Sequence, residues 1–178
     1  MIRTSIIFSS FLLASSINIA QAAGDEGNIS LGTANKIIAS TLGHAHEAES
    51  TPVAVVVVDR GGHLVAVQRE DGSGNMRPIL SMRKATSSLL LNISSAALGS
   101  FAVSNARTFD ILQQGLDGKI VAIAGGVIIR DKSGAPIGAV GISGGSLSEE
   151  VEFVSKAIEE AGLVPDAGPP PAAPPAAE

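Results

Sequence analysis

One stretch limits what this chain can fold into more than any other: Lys119 to Ser146, KIVAIAGGVIIRDKSGAPIGAVGISGGS. Ile120, Ala122 and Ala124 alternate with Val121 and Ile123, so both faces of an extended run are apolar. Gly125-Gly126 interrupts the run where backbone must bend or pack closely. Val127-Ile128-Ile129 resumes it. Asp131-Lys132-Ser133-Gly134 is polar and ends in glycine, as a hairpin loop does, and Ile137 to Ile142 returns apolar and Gly-rich. Strands that are apolar on both faces must be covered on both faces. The stretch is therefore the expected middle of a sheet, with the remaining elements packed on it and a helix following the last strand.

The elements before it read in order. Ser30 can cap a helix running to about Glu49, with Ala34, Ile38, Leu42 and Ala45 at helical spacing. Thr51-Pro52 ends it. Val53 to Val58 is β-branched and reads as a buried strand, Asp59-Arg60-Gly61-Gly62 is turn chemistry, and His63 to Gln68 is the returning strand. Met76 to about Asn92 reads as a second helix with Pro78 near its start. Serines and glycine up to Ser100 read as a loose connection, and Asn105 to Gln114 as a short helix with Phe109 and Leu112 inward. Ser146 and Glu149 form a capping box. The last helix follows, with Leu147, Val151, Val154, Ile158 and Ala161 on one stripe and Gly162 closing it. Helix, hairpin, helix, helix, hairpin, helix predicts an α+β fold, a mainly antiparallel central sheet flanked by helices.

The ends differ in character. Arg3, the apolar Ile6–Leu13 and Ala20-Gln21-Ala22 make a signal peptide over residues 1–22, with cleavage expected after Ala22. Residues 23–29 then form a short lead and 30–164 a single domain. The leader's apolar run is short for a bilayer span, so no membrane span is expected after cleavage. Export of a chain with no cysteine predicts a periplasmic or secreted bacterial protein. Residues 165–178 are rich in Pro and Ala and are expected to be extended or disordered. The formal charge is −5, or −6 once Arg3 leaves with the leader, and there is no Trp or Tyr. Mild acidity without stacking side chains argues against nucleic-acid binding.

VAVVVVDRGGHLVAVQREDG (Val53–Gly72), RKATSS (Arg83–Ser88) and GGVIIRDKSGAPIGAVGISGGSLSEE (Gly125–Glu150) together resemble the GlcG/HbpS-like family, which includes the C-terminal domain of PduO-type proteins. The resemblance runs from about Ser30 to Gly162. It implies a profilin-like α/β sandwich, homo-oligomers and, for several members, haem binding.

Haem iron takes an axial donor such as His, Met, Cys or Tyr. After the leader, this chain offers His44, His46, His63, Met76 and Met82, with Thr86 as a weaker oxygen donor. There is no C-x-x-C-H, so any haem is non-covalent. His44 and His46 lie two apart on a helix, pointing about 200° from one another, and cannot share one metal. His63 follows two glycines that let a ligand come close, and it lies in the motif that carries the resemblance. A turn histidine bonded to Asp59 is the competing role for it. Met76 and Met82 also fit as core or interface filler. Arg77, Arg83 and Lys84 cluster on one helix and suit propionates, or form a solvated face. Phe101, Phe109 and Phe153 are too few to line a porphyrin pocket within one subunit, which favours a pocket shared between subunits.

Gly141-Ile142-Ser143-Gly144-Gly145 matches G-x-S-x-G, but no His follows Ser143, as the hydrolase order requires. Gly141, Ser143, Gly144 and Gly145 read instead as a tight turn, or as an anion site at a helix start. The leading reading is an exported haem-binding protein serving capture, storage or sensing. The alternatives are an enzyme or accessory protein acting on a small organic acid, with His63 as acid/base, and a structural oligomer whose tail docks a partner.

Overall fold

The computed structural model describes residues 27–169. The expected leader and residues 170–178 of the tail lie outside them. The order is α1 (Leu31–Glu47), β1 (Ala54–Asp59), β2 (Leu64–Arg69), α2 (Arg77–Leu91), α3 (Ser95–Ser104), α4 (Ala106–Gly115), β3 (Gly126–Arg130), β4 (Pro136–Ser143), α5 (Leu147–Glu160) and β5 (Val164–Asp166). The five strands form one sheet in the order β2-β1-β4-β3-β5, antiparallel at every junction. This is the expected α+β sandwich, with the β3–β4 hairpin from the Gly-rich stretch at its centre.

Alternation in the strands sends successive residues to opposite faces. Val53, Val55, Val57, Val140 and Ile142 meet α1 and α5 in the main core, together with Ile37, Ile38, Phe153 and Ile158. Val56, Val58 and Ala139 meet Ala85 of α2 on the other face. The Ser30 hydroxyl accepts from the Thr33 amide at the start of α1. The Ser146–Glu149 capping box is formed at the start of α5.

Three local expectations need correction. Ile120–Ala124 is not a strand. Its polar backbone atoms are taken by side chains instead: Gln113 brackets Ile120, and the Val121 amide donates to Ser87 Oγ at 2.9 Å. The supposed loose connection contains α3, started by Ser94, whose hydroxyl accepts from the Ala97 amide. On α5 the expected stripe holds at Val154 and Ile158, with Val151 and Ala161 partly buried against the same core, but Leu147 is exposed and Glu150, Phe153 and Ala157 are buried as well. Glu150 faces inward there in an ion pair with Lys84 of α2.

β5 straddles the expected end of the domain: Pro165 and Asp166, expected in the extended or disordered tail, join Val164 in a strand paired with β3, and Arg130 holds Asp166 at 2.7 Å. Among the described residues no single helix is long and apolar enough to cross a membrane.

Candidate functional site

The site grows from α2, which has two unlike faces. Its inner face is small: Ser81, Ala85 and Ser88 lie on β4 and β3. A Cβ at Gly141 would overlap the Ser81 carbonyl, and one at Gly126 would overlap the Lys84 carbonyl. Those two glycines are therefore what lets the helix sit directly on the sheet. The Ser81 hydroxyl donates to the Ala54 carbonyl at 2.8 Å, so the close contact leaves no unpaired oxygen there.

The outer face of α2 carries Ile79, Arg83, Thr86 and Leu90, and its flank carries Met82 and Leu89, which also pack against the cluster of Val56, Val58, Ala85 and Ala139. Beside it lies the β1–β2 turn. There the Gly62 amide donates to the Asp59 carbonyl and the His63 amide to Asp59 Oδ1, each at 2.9 Å. Gly62 has φ +81°, and a Cβ on it would lie 3.8 Å from Thr86. Between turn and helix is a cleft of about 610 Å³, within the range of about 300–1,000 Å³ usual for small-molecule sites. Arg60, Arg83 and Lys119 give it three cations, and Met82, Leu89 and Leu90 an apolar wall. Arg60 and Arg83 make no ion pair among the described residues, and Lys119 holds Asp117 at 3.2 Å. The Thr86 hydroxyl donates to the Met82 carbonyl at 2.9 Å. Met82 and Arg83 also border a nearly all-apolar pocket of about 320 Å³ formed with Val56, Leu64, Val67 and Ile79. A flat apolar ligand with an anionic edge matches this combination.

The sequence candidates are dispersed. Arg83, Met82 and Thr86 line the cleft with the Gly61-Gly62 turn. His63 flanks that turn without lining the cleft; its ring is 82% exposed, with Nδ1 3.3 Å from Asp59. Burial pushes the Asp59 carboxyl up, but the His63 amide and imidazole outweigh it and hold it below its ordinary value. His44 and His46 belong to α1, which packs on the opposite face of the sheet. His44 Nε2 lies 3.0 Å from Glu160 of α5, and His46 bonds Glu70 beyond β2. The two rings have different partners, as their spacing on the helix requires. Among the described residues no group of three His, Asp or Glu side chains could hold a metal ion.

Arg77 stands at the start of α2, half-buried, and borders neither pocket; Met76 is exposed beside it. Lys84 points inward. Its ammonium lies 2.6 Å from Glu150 and donates to the Ile142 carbonyl at 2.9 Å, with both side chains almost fully buried. Burial pushes the Lys84 amine down and the Glu150 carboxyl up, against their mutual attraction. Glu150 also accepts the Gly144 amide at 2.6 Å. The turn from Gly141 to Ser146 is thus supplied with carboxylates from within the chain: Glu150 on Gly144, and Glu149 on the Ser146 amide. Ser143 is buried, and Gly145 packs beside Ser50.

Sequence reasoning misses Arg60, Lys119 and Glu150. Arg60 sits in a turn already explained by its glycines, and Lys119 at the edge of a run that reads as strand. Glu150 has a visible signal, since it is a second acid immediately after a complete capping box.

Residues 29–159 match the family described as haem degrading protein HbpS-like. Among solved structures, the chain is similar to PduOC in its complex with haem, at 24% identity and a TM-score of 0.69 over 76% of this chain and 96% of that one. It is similar to the Klebsiella pneumoniae protein ORFY at 27% identity and a TM-score of 0.69, over 75% and 90% of the two chains. HbpS follows at 23% identity and 0.64, over 75% and 89%. No curated protein matches the chain.

Proposed function

The chain belongs to the HbpS-like family, and from that premise we propose that it is an exported protein that binds haem non-covalently in the cleft between α2 and the β1–β2 turn. The observation that carries the reading is the lining of that cleft: Arg60, Arg83 and Lys119 around Met82, Leu89 and Leu90. The guanidinium of Arg83 can take a propionate through two parallel N–H donors. Lys119 and Arg60 neutralise the same anionic edge. The apolar wall, extended by Leu64, Val67 and Ile79, receives the ring and keeps water from it. Met82 and Thr86 bring a thioether and a hydroxyl to the cleft as iron donors, whereas the three histidines lie away from its lining. When bound, haem supplies an iron centre able to take an axial ligand and to change oxidation state.

Leu64, Val67, Ile79 and Leu90 are each about half exposed, at 55, 45, 52 and 57%. An apolar patch of this kind beside a ligand cleft fits a neighbouring subunit as its cover. This supports haem held between subunits of a homo-oligomer, in a protein that captures, stores or senses haem outside the cytoplasm.

The test is a haemin titration of residues 23–178 followed in the Soret band, beside Arg83→Ala, Met82→Leu, Thr86→Val and His63→Ala. Saturable binding is expected. Arg83→Ala should weaken it about tenfold or more, the worth of a charge-assisted hydrogen bond. Met82→Leu or Thr86→Val should move the band, and His63→Ala should do neither. A non-saturating change, equal in every variant, would overturn the reading. Thermal stabilisation by a small dicarboxylate without any Soret response would transfer the cleft to the organic-acid alternative.

A further inference from the structure

The cleft on α2 is equipped far better for carboxylates than for iron. Its three cations converge from separate parts of the chain: Arg60 from the β1–β2 turn, Arg83 from α2 and Lys119 from the coil before Ile120. Among the described residues neither guanidinium makes a hydrogen bond or an ion pair, so each keeps five N–H donors for a ligand. No Asp or Glu lines the cleft, and Asp117, the partner of Lys119, stands outside the lining. The cations therefore suit the anionic edge of a ligand, while nothing in the lining balances the positive charge of a ferric centre.

The iron donors are weak by comparison. No histidine lines the cleft. The single proton of the Thr86 hydroxyl is committed to α2, with the Met82 carbonyl at 2.9 Å and the Arg83 carbonyl at 3.2 Å. A neutral hydroxyl also falls outside the usual haem donors His, Cys, Met and Tyr. Met82 packs against Val56, Val58, Ala85 and Ala139, so the core holds this side chain as well as the cleft. The apolar wall of Leu89 and Leu90, continued by Leu64, Val67 and Ile79, meets the hydrocarbon of a ring whatever stands at its centre.

Resting on the placement of haem in this cleft, we propose that the site recognises a planar tetrapyrrole by its carboxylate edge and apolar face and not by its iron. Iron-free porphyrin dicarboxylates are then ligands of the same cleft, held about as tightly as haem. Arg83 and Arg60 fix the edge, and Lys119 adds a third charge beside it. Met82 and Thr86 alter the spectrum of the iron without deciding affinity. The site keeps hold of the macrocycle whether or not iron is in it.

The test compares haemin, protoporphyrin IX and protoporphyrin IX dimethyl ester on residues 23–178. Affinities are read from the Soret band and from porphyrin emission. Protoporphyrin IX is expected to bind within about fivefold of haemin, a difference of about 1 kcal/mol. Arg83→Ala should weaken both ligands by the same factor, about tenfold or more. Arg60→Ala should weaken both in parallel. The ester keeps the ring but loses both charges, and should bind at least about thirtyfold more weakly than the acid. A wider gap between protoporphyrin IX and haemin, with haemin still sensitive to Arg83→Ala, would overturn the inference and leave haem in the cleft as an iron-held ligand. Ester binding as tight as that of the acid would also defeat it, because apolar contact alone would then explain uptake. Haemin binding that ignores both arginine variants would remove haem from this cleft and take the inference with it.

Discussion

The two faces of the sheet are held by different physics. Against α1 and α5 the contacts are aliphatic and area does the holding: Ile37, Ile38, Val55, Val57, Ile142 and Ile158 are all fully buried. Against α2 there is little side chain to bury. The helix rests on glycine, its serines satisfy backbone groups of neighbouring segments, and Lys84 reaches past the strands to Glu150. Hydrophobic burial is non-directional and tolerates small shifts; hydrogen bonds and backbone contact do not. The face held by contact and hydrogen bonding is the one whose outer surface forms the cleft. Its register fixes where Met82, Arg83 and Thr86 stand against the Gly61-Gly62 turn.

The largest effect should come from adding one methyl group on the α2 side. In Gly141→Ala the new Cβ would meet the Ser81 carbonyl. The obstacle is helix backbone and cannot rotate away, so α2 must lift from β4. The cost should exceed the roughly 1–3 kcal/mol typical of overpacking. Loss of a cooperative urea transition, or of soluble folded protein, is the expected result. A variant with wild-type stability would show that α2 rides on the sheet more loosely than the close contact implies.

Removing the cation under the helix should come next. Lys84→Met leaves Glu150 buried without its partner, a change worth about 3–5 kcal/mol for such pairs. The pH dependence has a definite sign. Burial, opposed by Lys84, already holds the Glu150 carboxyl above its ordinary value of 4.5, and without Lys84 it rises further. Below 4.5 folded and unfolded chains are both protonated at this site, so ionisation costs nothing. The cost grows as pH rises from there through the raised folded value. The stability gap between Lys84→Met and wild type should therefore be wide at neutral pH and narrow toward pH 4.5, as read from urea midpoints. Adding Glu150→Leu should recover much of the loss at neutral pH. A gap independent of pH would mean that Glu150 is not the group left stranded.

The same contrast explains what the sequence can and cannot reveal. Elements set by local chemistry are readable: the Ser30 cap, the Ser146–Glu149 box, the Asp131–Gly134 hairpin and the β-branched Val53–Val58 strand all stand where their residues put them. The α2 side is less readable because its logic is non-local. A serine that accepts a distant amide looks like a loop serine, which is why α3 reads as a connection. Val121 and Ile120 look like strand residues until Ser87 and Gln113 are seen to take their backbone groups. Of the cleft, the Gly61-Gly62 turn, Met82, Arg83 and Thr86 stand out in the sequence. Arg60 and Lys119 join them only through the fold, since no spacing rule links a turn, a helix and a coil. Lys84 looks like a neighbour of Arg83, but on a helix adjacent residues point about 100° apart, enough to send one to the cleft and the other into the core.

The smallest effect should be found on the α1/α5 side. Ile38→Val removes one methylene from a fully buried position. Such changes cost about 0.5–1.5 kcal/mol, and here the surroundings are aliphatic, with no hydrogen bond to misalign. The urea midpoint should fall slightly while the slope stays constant, and the affinity of the α2 cleft for haemin should not change. That last part is the sharper test. If a methylene lost beneath α1 also weakened ligand binding at α2, the five-stranded sheet would be transmitting packing changes between its faces, and the two could no longer be treated as separately held. An unchanged affinity beside a lowered midpoint would leave the area-held face as support and the contact-held face as the part that sets the geometry of the site.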